Sequence, residues 1–175
     1  LLILYWVTAC LGVTLGYHRL FSHRSFNVPQ WVARILATCG ALSAEYGPVT
    51  WVGLHRQHHK HSDKDLDPHN SNKGFWWSHI GWMFVEVRAE RRVRRYAADM
   101  RKDPYFVWLD KWFLFLQLPL GILLYSLGGW SMVLWGIPLR LAVVYNVTWL
   151  VNSATHKWGT RAFDTEDSSR NNKWV

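Results

Sequence analysis

A chain of 175 residues has room for one domain, and half of its residues are apolar, with 13 Trp, 7 Tyr and 8 Phe. Its only two cysteines, Cys10 and Cys39, both lie in apolar surroundings, which leaves no disulfide framework and no cysteine-rich zinc site; both read as small buried hydrophobes. The net charge of +8 is not spread evenly: Arg88, Arg91, Arg92, Arg94, Arg95, Arg101 and Lys102 crowd one polar stretch, and because that stretch lies between apolar segments it points to a cytoplasmic, lipid-facing loop rather than to nucleic acid.

In chain order, LLILYWVTACLGVTLGY (1–17) is already deep in an apolar run, with no initiator Met, charged leader or cleavage site, and SSRNNKWV stops on a polar note. The chain therefore reads as a piece cut at both ends. HRLFSH follows, with His18 at the inner end of the helix 1–18. A spacing of five does not share a face on a regular helix, so His23 is expected just beyond a bend. The next apolar run, WVARILATCGALSAEYG (31–47), is short and carries Arg34 and Glu45. HRQHHKH (55–61) comes after it, with His55, His58 and His59 at i, i+3 and i+4 on one helical face. Loops and short amphipathic helices are expected from 60 to 110. The runs 112–128 and 131–151, joined at Gly128 and Gly129, read as a helical hairpin close to the ~20 residues a bilayer core needs. Pro119 and Pro138 are tolerable there, whereas Arg140 must face protein or snorkel. Asn152 and His156, at i and i+4, extend the last helix.

Topology constrains the second run. For one site to use histidines on both sides of 31–47, that segment must lie along the interface or dip in and return. The hairpin 112–151 crosses twice and brings His156 back to the same side. The expected fold is all-α: an integral membrane helical protein, a single domain over 1–175, with its histidines on one side of the membrane.

Taken together, His18, His23, His55, His58, His59 and His156 converge from three segments. The bland alternative is a solvated, histidine-rich set of helix ends. Three imidazoles at ligand spacing, with three more nearby, favour metal instead, and neutral imidazole suits Zn, Fe, Cu or Ni. Six exceed one tetrahedral site, which suggests either one over-provided ion or two ions. Asn152 is a poor direct ligand that can hold a metal-bound water. Glu45, Asp63, Asp65 and Asp67 are candidates to fix the imidazole tautomers. His61, His69 and His79 stand apart from the three clusters, and His61 reads as a polar loop residue.

HRLFSH, HRQHH and NSATH, in this order and with these apolar spacers, resemble the membrane fatty acid desaturases, the Δ9 branch in particular, and DPHNSNKGFWWSHIGWMF (67–84) resembles the segment after that family's second histidine box. The likeness covers essentially the whole chain. It implies two irons per active site, a cytosol-facing diiron cap, and a cis double bond introduced into a long saturated acyl chain with O2 and two electrons. It implies metal ligation by the six histidines above and by Asn152 through water. By the same resemblance Asn70, Lys73 and Trp77 are candidates for contact with the substrate's polar head. The acyl chain would arrive as acyl-CoA or acyl-lipid, and the electrons from ferredoxin or cytochrome b5, for which the Arg-rich stretch 88–102 is a possible dock besides anionic lipid. The family's third box, HNxHH, does not occur before Val175, so residues 1–175 alone are expected to lack desaturase activity.

Two rivals share parts of this pattern. A membrane hydroxylase or ketolase would use the same histidines to insert oxygen. A non-catalytic metal-binding or transporting membrane protein would place ionisable groups inside its spans, whereas these histidines lie at the ends of apolar runs.

Overall fold

The computed structural model describes residues 1–84, 90–164 and 167–175. Arg88 of the basic stretch falls outside them, as does the side chain of Arg91. The described residues are helical, and their one strand-like feature is a bridge between Thr160 and Asn171.

Helix α1 begins as Leu2–Tyr5 and continues without a break as a wide helix, Trp6–Ser22. It is followed by α2 (Gln30–Ala41), α3 (Pro48–His61), α4 (Phe75–His79), α5 (Glu90–Tyr96), α6 (Pro104–Trp112), α7 (Gln117–Leu134) and α8 (Arg140–Lys157). Pro48 and Pro104 each stand in a first helical turn, where a missing N–H costs nothing. Asp103 caps α6 by accepting from the Tyr105 N–H at 2.9 Å.

The first half is a three-helix layer. Helices α1 and α2 run antiparallel at very close approach: a Cβ on Gly12 would lie 2.3 Å from the Gly40 backbone nitrogen, and one on Gly16 would meet Leu36. Only glycine permits that contact. Tyr17, Leu20, Leu36, Ala37, Val52, Phe106 and Leu109 form the buried core between α1, α2, α3 and α6. The chain leaves the histidine end along α2, turns at residues 42–47, and comes back along α3. The run 31–47 is therefore α2 and the corner after it, and α3 carries the chain back to the histidine end.

The second half is a hairpin. Within α7 the helix is interrupted at Gly128 and Gly129, and Gly129 has φ 63, in the region that favours glycine. The chain reverses there, so Ile137 packs over Gly121 and Leu124 over Gly136. The continuous stretch Pro104–Lys157 is long and apolar enough to cross a membrane by length and composition. Its apolar side chains face outward: Leu118, Ile122, Leu127, Trp130, Leu134 and Val151 are each more than half exposed. A contiguous apolar surface of that kind exceeds what scattered surface hydrophobes give and needs a covering.

Arg140 joins the halves. It is 5% exposed, and its guanidinium donates to Thr8 Oγ1 (2.9 Å), the Leu42 carbonyl (2.9 Å), Gln117 Oε1 (3.3 Å) and the Gly136 carbonyl (2.7 Å). The charge expected to face protein does so, and the α2–α3 corner reaches it.

Candidate metal centre

At the end of α1 the amide of His23 donates to the carbonyl of His18 at 3.0 Å, an i to i+5 bond. Ser22 Oγ donates to the Tyr17 carbonyl with the same offset, at 2.8 Å. In a helix wound this way, five residues come close to one turn. The expectation of a bend between His18 and His23 is corrected accordingly: the wide turn brings both rings to one face, with centroids 4.4 Å apart. Such turns are rare in helices and recur at functional sites.

On α3 the i, i+4 pair His55 and His59 faces this pair. His23 Nε2 lies 3.0 Å from His18 Nε2 and 3.2 Å from His55 Nε2, and His59 Nε2 lies 3.0 Å from His55 Nε2. Each Nε2 has either one proton or one lone pair. His23 and His55 each make two such contacts, so three ordinary hydrogen bonds are not available. Imidazoles on one transition-metal ion stand about 2.1 Å from it, and so roughly 3–3.5 Å from one another. The four nitrogens fit a shared cation, and all lie within 4.8 Å of one another. Burial, together with the charges its neighbours would carry, drives the His55 ring far below the usual histidine range and takes His59 down to about 4. Both rings are therefore neutral at neutral pH, the form that ligates metal.

Arg56 buckles this arrangement. It donates to the Phe21 carbonyl (2.5 Å) at the end of α1, to the Tyr96 carbonyl (2.7 Å) at the end of α5, and to both oxygens of Asp99 (2.6 and 3.0 Å). Arg24 holds the other side of Asp99 at 2.9 Å. Trp51, one turn before His55, stacks on that ring with centroids 4.9 Å apart. The Trp51 indole N–H in turn donates to Glu45 (3.3 Å), and Thr148 of α8 donates to the same carboxylate (2.7 Å). Glu45, expected to fix an imidazole, therefore reaches His55 through Trp51.

A second group adjoins the first. His58 is turned away from the four-ring cluster, and its Nδ1 stands 2.9 Å from Asp67 Oδ1. The His156 ring centroid is 5.8 Å from that of His58. His156 Nδ1 is 3.0 Å from Ser168 Oγ, and Ser168 donates to Asp63 through both its amide (2.6 Å) and its hydroxyl (2.8 Å). Two of the four suggested carboxylates, Asp63 and Asp67, thus act on imidazoles directly or through one hydroxyl. Asp65 is exposed. Asp67 would be raised by burial, but the His58 hydrogen bond and the amide of Asp63 hold it below the ordinary carboxylate range.

The remaining histidines divide. His61 is paired with the Tyr96 hydroxyl at 2.9 Å, and His79 with Ser153 (3.0 Å) and Asn146 (3.3 Å), so both are committed to the fold. His69, set apart from the clusters in the sequence reading, lies against His58 with centroids 4.1 Å apart. Asn152 lines a narrow, mostly apolar cavity of ≈ 60 Å³, which reaches His55 and His69 and is walled by Trp51, Trp82, Thr148 and Trp149. Asn70 is 4% exposed; it donates to the Lys64 carbonyl (2.9 Å) and accepts from the Asn72 amide (2.9 Å), so its side chain is engaged within its own loop. The Lys73 ammonium stands 4.9 Å over the Trp77 ring.

The Fatty acid desaturase family pattern matches residues 1–175. The chain belongs to the fatty acid desaturase family. Over 174 residues it is 54% identical to sn-1 stearoyl-lipid 9-desaturase of Anabaena variabilis, covering 99% of this chain and 64% of that one. It is 49% identical to sn-2 palmitoyl-lipid 9-desaturase of Nostoc sp. (strain 36), covering 100% and 63%. It is 38% identical to icosanoyl-CoA 5-desaturase of Limnanthes douglasii, covering 99% and 50%. The chain thus spans between half and two thirds of the length of these desaturase relatives.

Proposed function

We propose that this chain is the metal-holding part of a membrane acyl-lipid Δ9-desaturase, which introduces a cis double bond into a long saturated acyl chain. One observation carries the reading: four imidazole Nε2 atoms from α1 and α3 are turned toward one point, beside a narrow apolar cavity. The names of the relatives at 49–54% identity support the Δ9 position and the lipid-bound substrate. They also favour the acyl-lipid over the acyl-CoA form left open by the sequence.

The residues present fit iron. His18, His23, His55 and His59 would hold one ion. His58 and His156 are the further imidazoles for a second, with Asn152 close enough to the cavity to hold a bound water. Bound iron would supply the reduction of O2, with two electrons from ferredoxin or cytochrome b5, and the power to take hydrogen from an unactivated methylene. The chain's own residues do the rest. Trp51 and Arg56 fix where α3 presents His55 and His59. Asp67 fixes the ring of His58, and Ser168 with Asp63 fixes that of His156, so each tautomer is set before an ion arrives. The walls of Trp51, Trp82 and Trp149 exclude water and hold an acyl segment in one register, where a misplacement of ~1 Å can cost ~100-fold in rate. Lys73 and Trp77 remain candidates for the substrate's polar head; Asn70 would shape the loop that carries them.

The exposed apolar hairpin supports membrane insertion. Arg92, Arg94, Arg95, Arg101 and Lys102, exposed near the Asp99 buckle, support a cytoplasmic histidine end by the positive-inside tendency. The test is expression, in a desaturase-deficient host, of the gene over a length that spans the whole of its desaturase relatives, with residues 1–175 alone as the inactive control, followed by mass-spectrometric location of double bonds in the lipids. The reading expects 9,10-unsaturated chains, lost on His55→Ala. Hydroxylated chains would show the oxygen-inserting rival instead, and unchanged lipids with abundant protein would count against both.

A further inference from the structure

The narrow cavity beside the histidines has two ends, and α3 and α8 order its lining in the same way. Along α8, Asn152, Trp149, Thr148 and Tyr145 line it in turn, and Tyr145 stands about 10 Å from Asn152 at the rise of an α-helix. On the facing side, His55, Leu54 and Trp51 of α3 give way to Tyr46 and Glu45 of the corner before that helix. One end therefore lies at the histidines. The other lies where Tyr145 meets the corner at residues 44–46.

That far end is closed. The Tyr145 hydroxyl donates to the Ala44 carbonyl at 2.9 Å, and the Tyr145 ring stacks on Trp149 with centroids 5.3 Å apart. Ala44 and Tyr46 have φ 57 and 79, in the left-handed region that side-chain-bearing residues rarely adopt. Such backbone persists only where its surroundings hold it, and the Tyr145 hydroxyl is one of the groups that hold Ala44. Behind this latch the Leu42 carbonyl accepts from Arg140 (2.9 Å) and from Gln117 Nε2 (3.2 Å). A methylene chain pushed past Tyr145 would have to enter that network, and stripping buried polar groups of their partners is costly.

The two ends suit different parts of an acyl-lipid. The ester and head group are polar and bulky, so a closed, mostly apolar end cannot take them. The terminal methyl segment fits such an end. We infer that Tyr145 is a specificity-determining residue: its ring is the stop against which the methyl end of the acyl chain abuts, and it sets how much chain fits beyond the reacting methylenes. The inference rests on the acyl-desaturase reading above and adds to it the selection of chain length. Held at its hydroxyl by Ala44 and on its face by Trp149, the ring is a fixed wall. One methylene too many or too few in an apolar pocket is worth about 10–200-fold in selectivity.

The test uses the gene over the whole length of its desaturase relatives, expressed in a desaturase-deficient host fed palmitic, stearic and icosanoic acids together. Unsaturated products are measured by mass spectrometry for wild type, Tyr145→Ala, Tyr145→Phe and Tyr145→Trp. Tyr145→Ala removes the stop, so the ratio of icosanoyl-derived to stearoyl-derived product should rise at least about 10-fold. Tyr145→Phe keeps the ring on Trp149 and should keep the wild-type ratio. Tyr145→Trp brings the wall forward and should shift product from stearoyl-derived toward palmitoyl-derived. A Tyr145→Ala enzyme with the wild-type length profile, or a Tyr145→Phe enzyme as permissive as Tyr145→Ala, would overturn the inference and leave the desaturase reading standing. Where Tyr145→Ala does not accumulate, an unchanged profile in Tyr145→Trp overturns it alone. No desaturated product from wild type would overturn it together with the reading on which it rests.

Discussion

At the scale of single residues, His55 is the centre of the four-ring cluster. It contacts His23 and His59 through Nε2 and is stacked by Trp51. His55→Ala should therefore abolish binding at that group, whereas Trp51→Leu should only weaken it, by roughly 10-fold through lost ring orientation; a metal titration of both variants separates the two effects. Asp99 gives a pH test. Burial would raise its pKa, but the Arg56 hydrogen bond and charge, with Arg24, bring it from 3.8 to about 2. A depressed carboxylate stabilises the fold above its unfolded pKa and loses that contribution as pH falls through the folded value. The contribution should be full above pH 4 and vanish toward pH 2. Asp99→Asn should lose roughly 1–2 kcal/mol at neutral pH, discounted for its partial exposure, and show less acid sensitivity in that window. Some residue roles were legible in the sequence and some were not. The i, i+4 spacing of His55 and His59 announced their shared site, because α3 is an ordinary helix, whereas the turn of His58 toward Asp67 was not announced. His69 gave no such signal: its contact with His58 depends on how the loop through Asp63 and Asp67 closes, and loop closure has no period to read.

At the scale of elements, the wide turn at the end of α1 decides the site. A regular helix would have separated His18 and His23, which is why spacing alone predicted a bend. The apolar run 31–47 was visible as short, but its division into α2 and the corner before α3 follows from packing against Gly12 and Gly16, which composition does not display. Gly12→Val should push α1 from α2, because its Cβ would meet the Gly40 backbone at 2.3 Å. A loss of about 1–3 kcal/mol or more is expected, read as a lowered melting temperature and weakened metal binding, since α1 carries half of the four-ring group.

At the scale of the whole molecule, the hairpin α7–α8 and the histidine end form two poles. The apolar hairpin was plain in the sequence, as was the need to shelter Arg140; three of its four acceptors, from α1, the α2–α3 corner and α7, were not, because they come from distant segments. Topology can be tested with single cysteines in a Cys10→Ser, Cys39→Ser background. Lys60→Cys should react with an impermeant maleimide only from the cytoplasmic side, and Ser131→Cys, next to the hairpin turn, only from the other. Labelling of both from one side would mean that the hairpin does not cross. The most direct measurement of the central account is X-ray absorption at the iron edge of the Fe(II)-loaded chain, compared with His23→Ala and His59→Ala. Imidazole scattering from about four rings at about 2.1 Å, reduced in either variant, is the result expected if α1 and α3 share one ion; an iron shell of oxygen alone, unchanged in both variants, would contradict it.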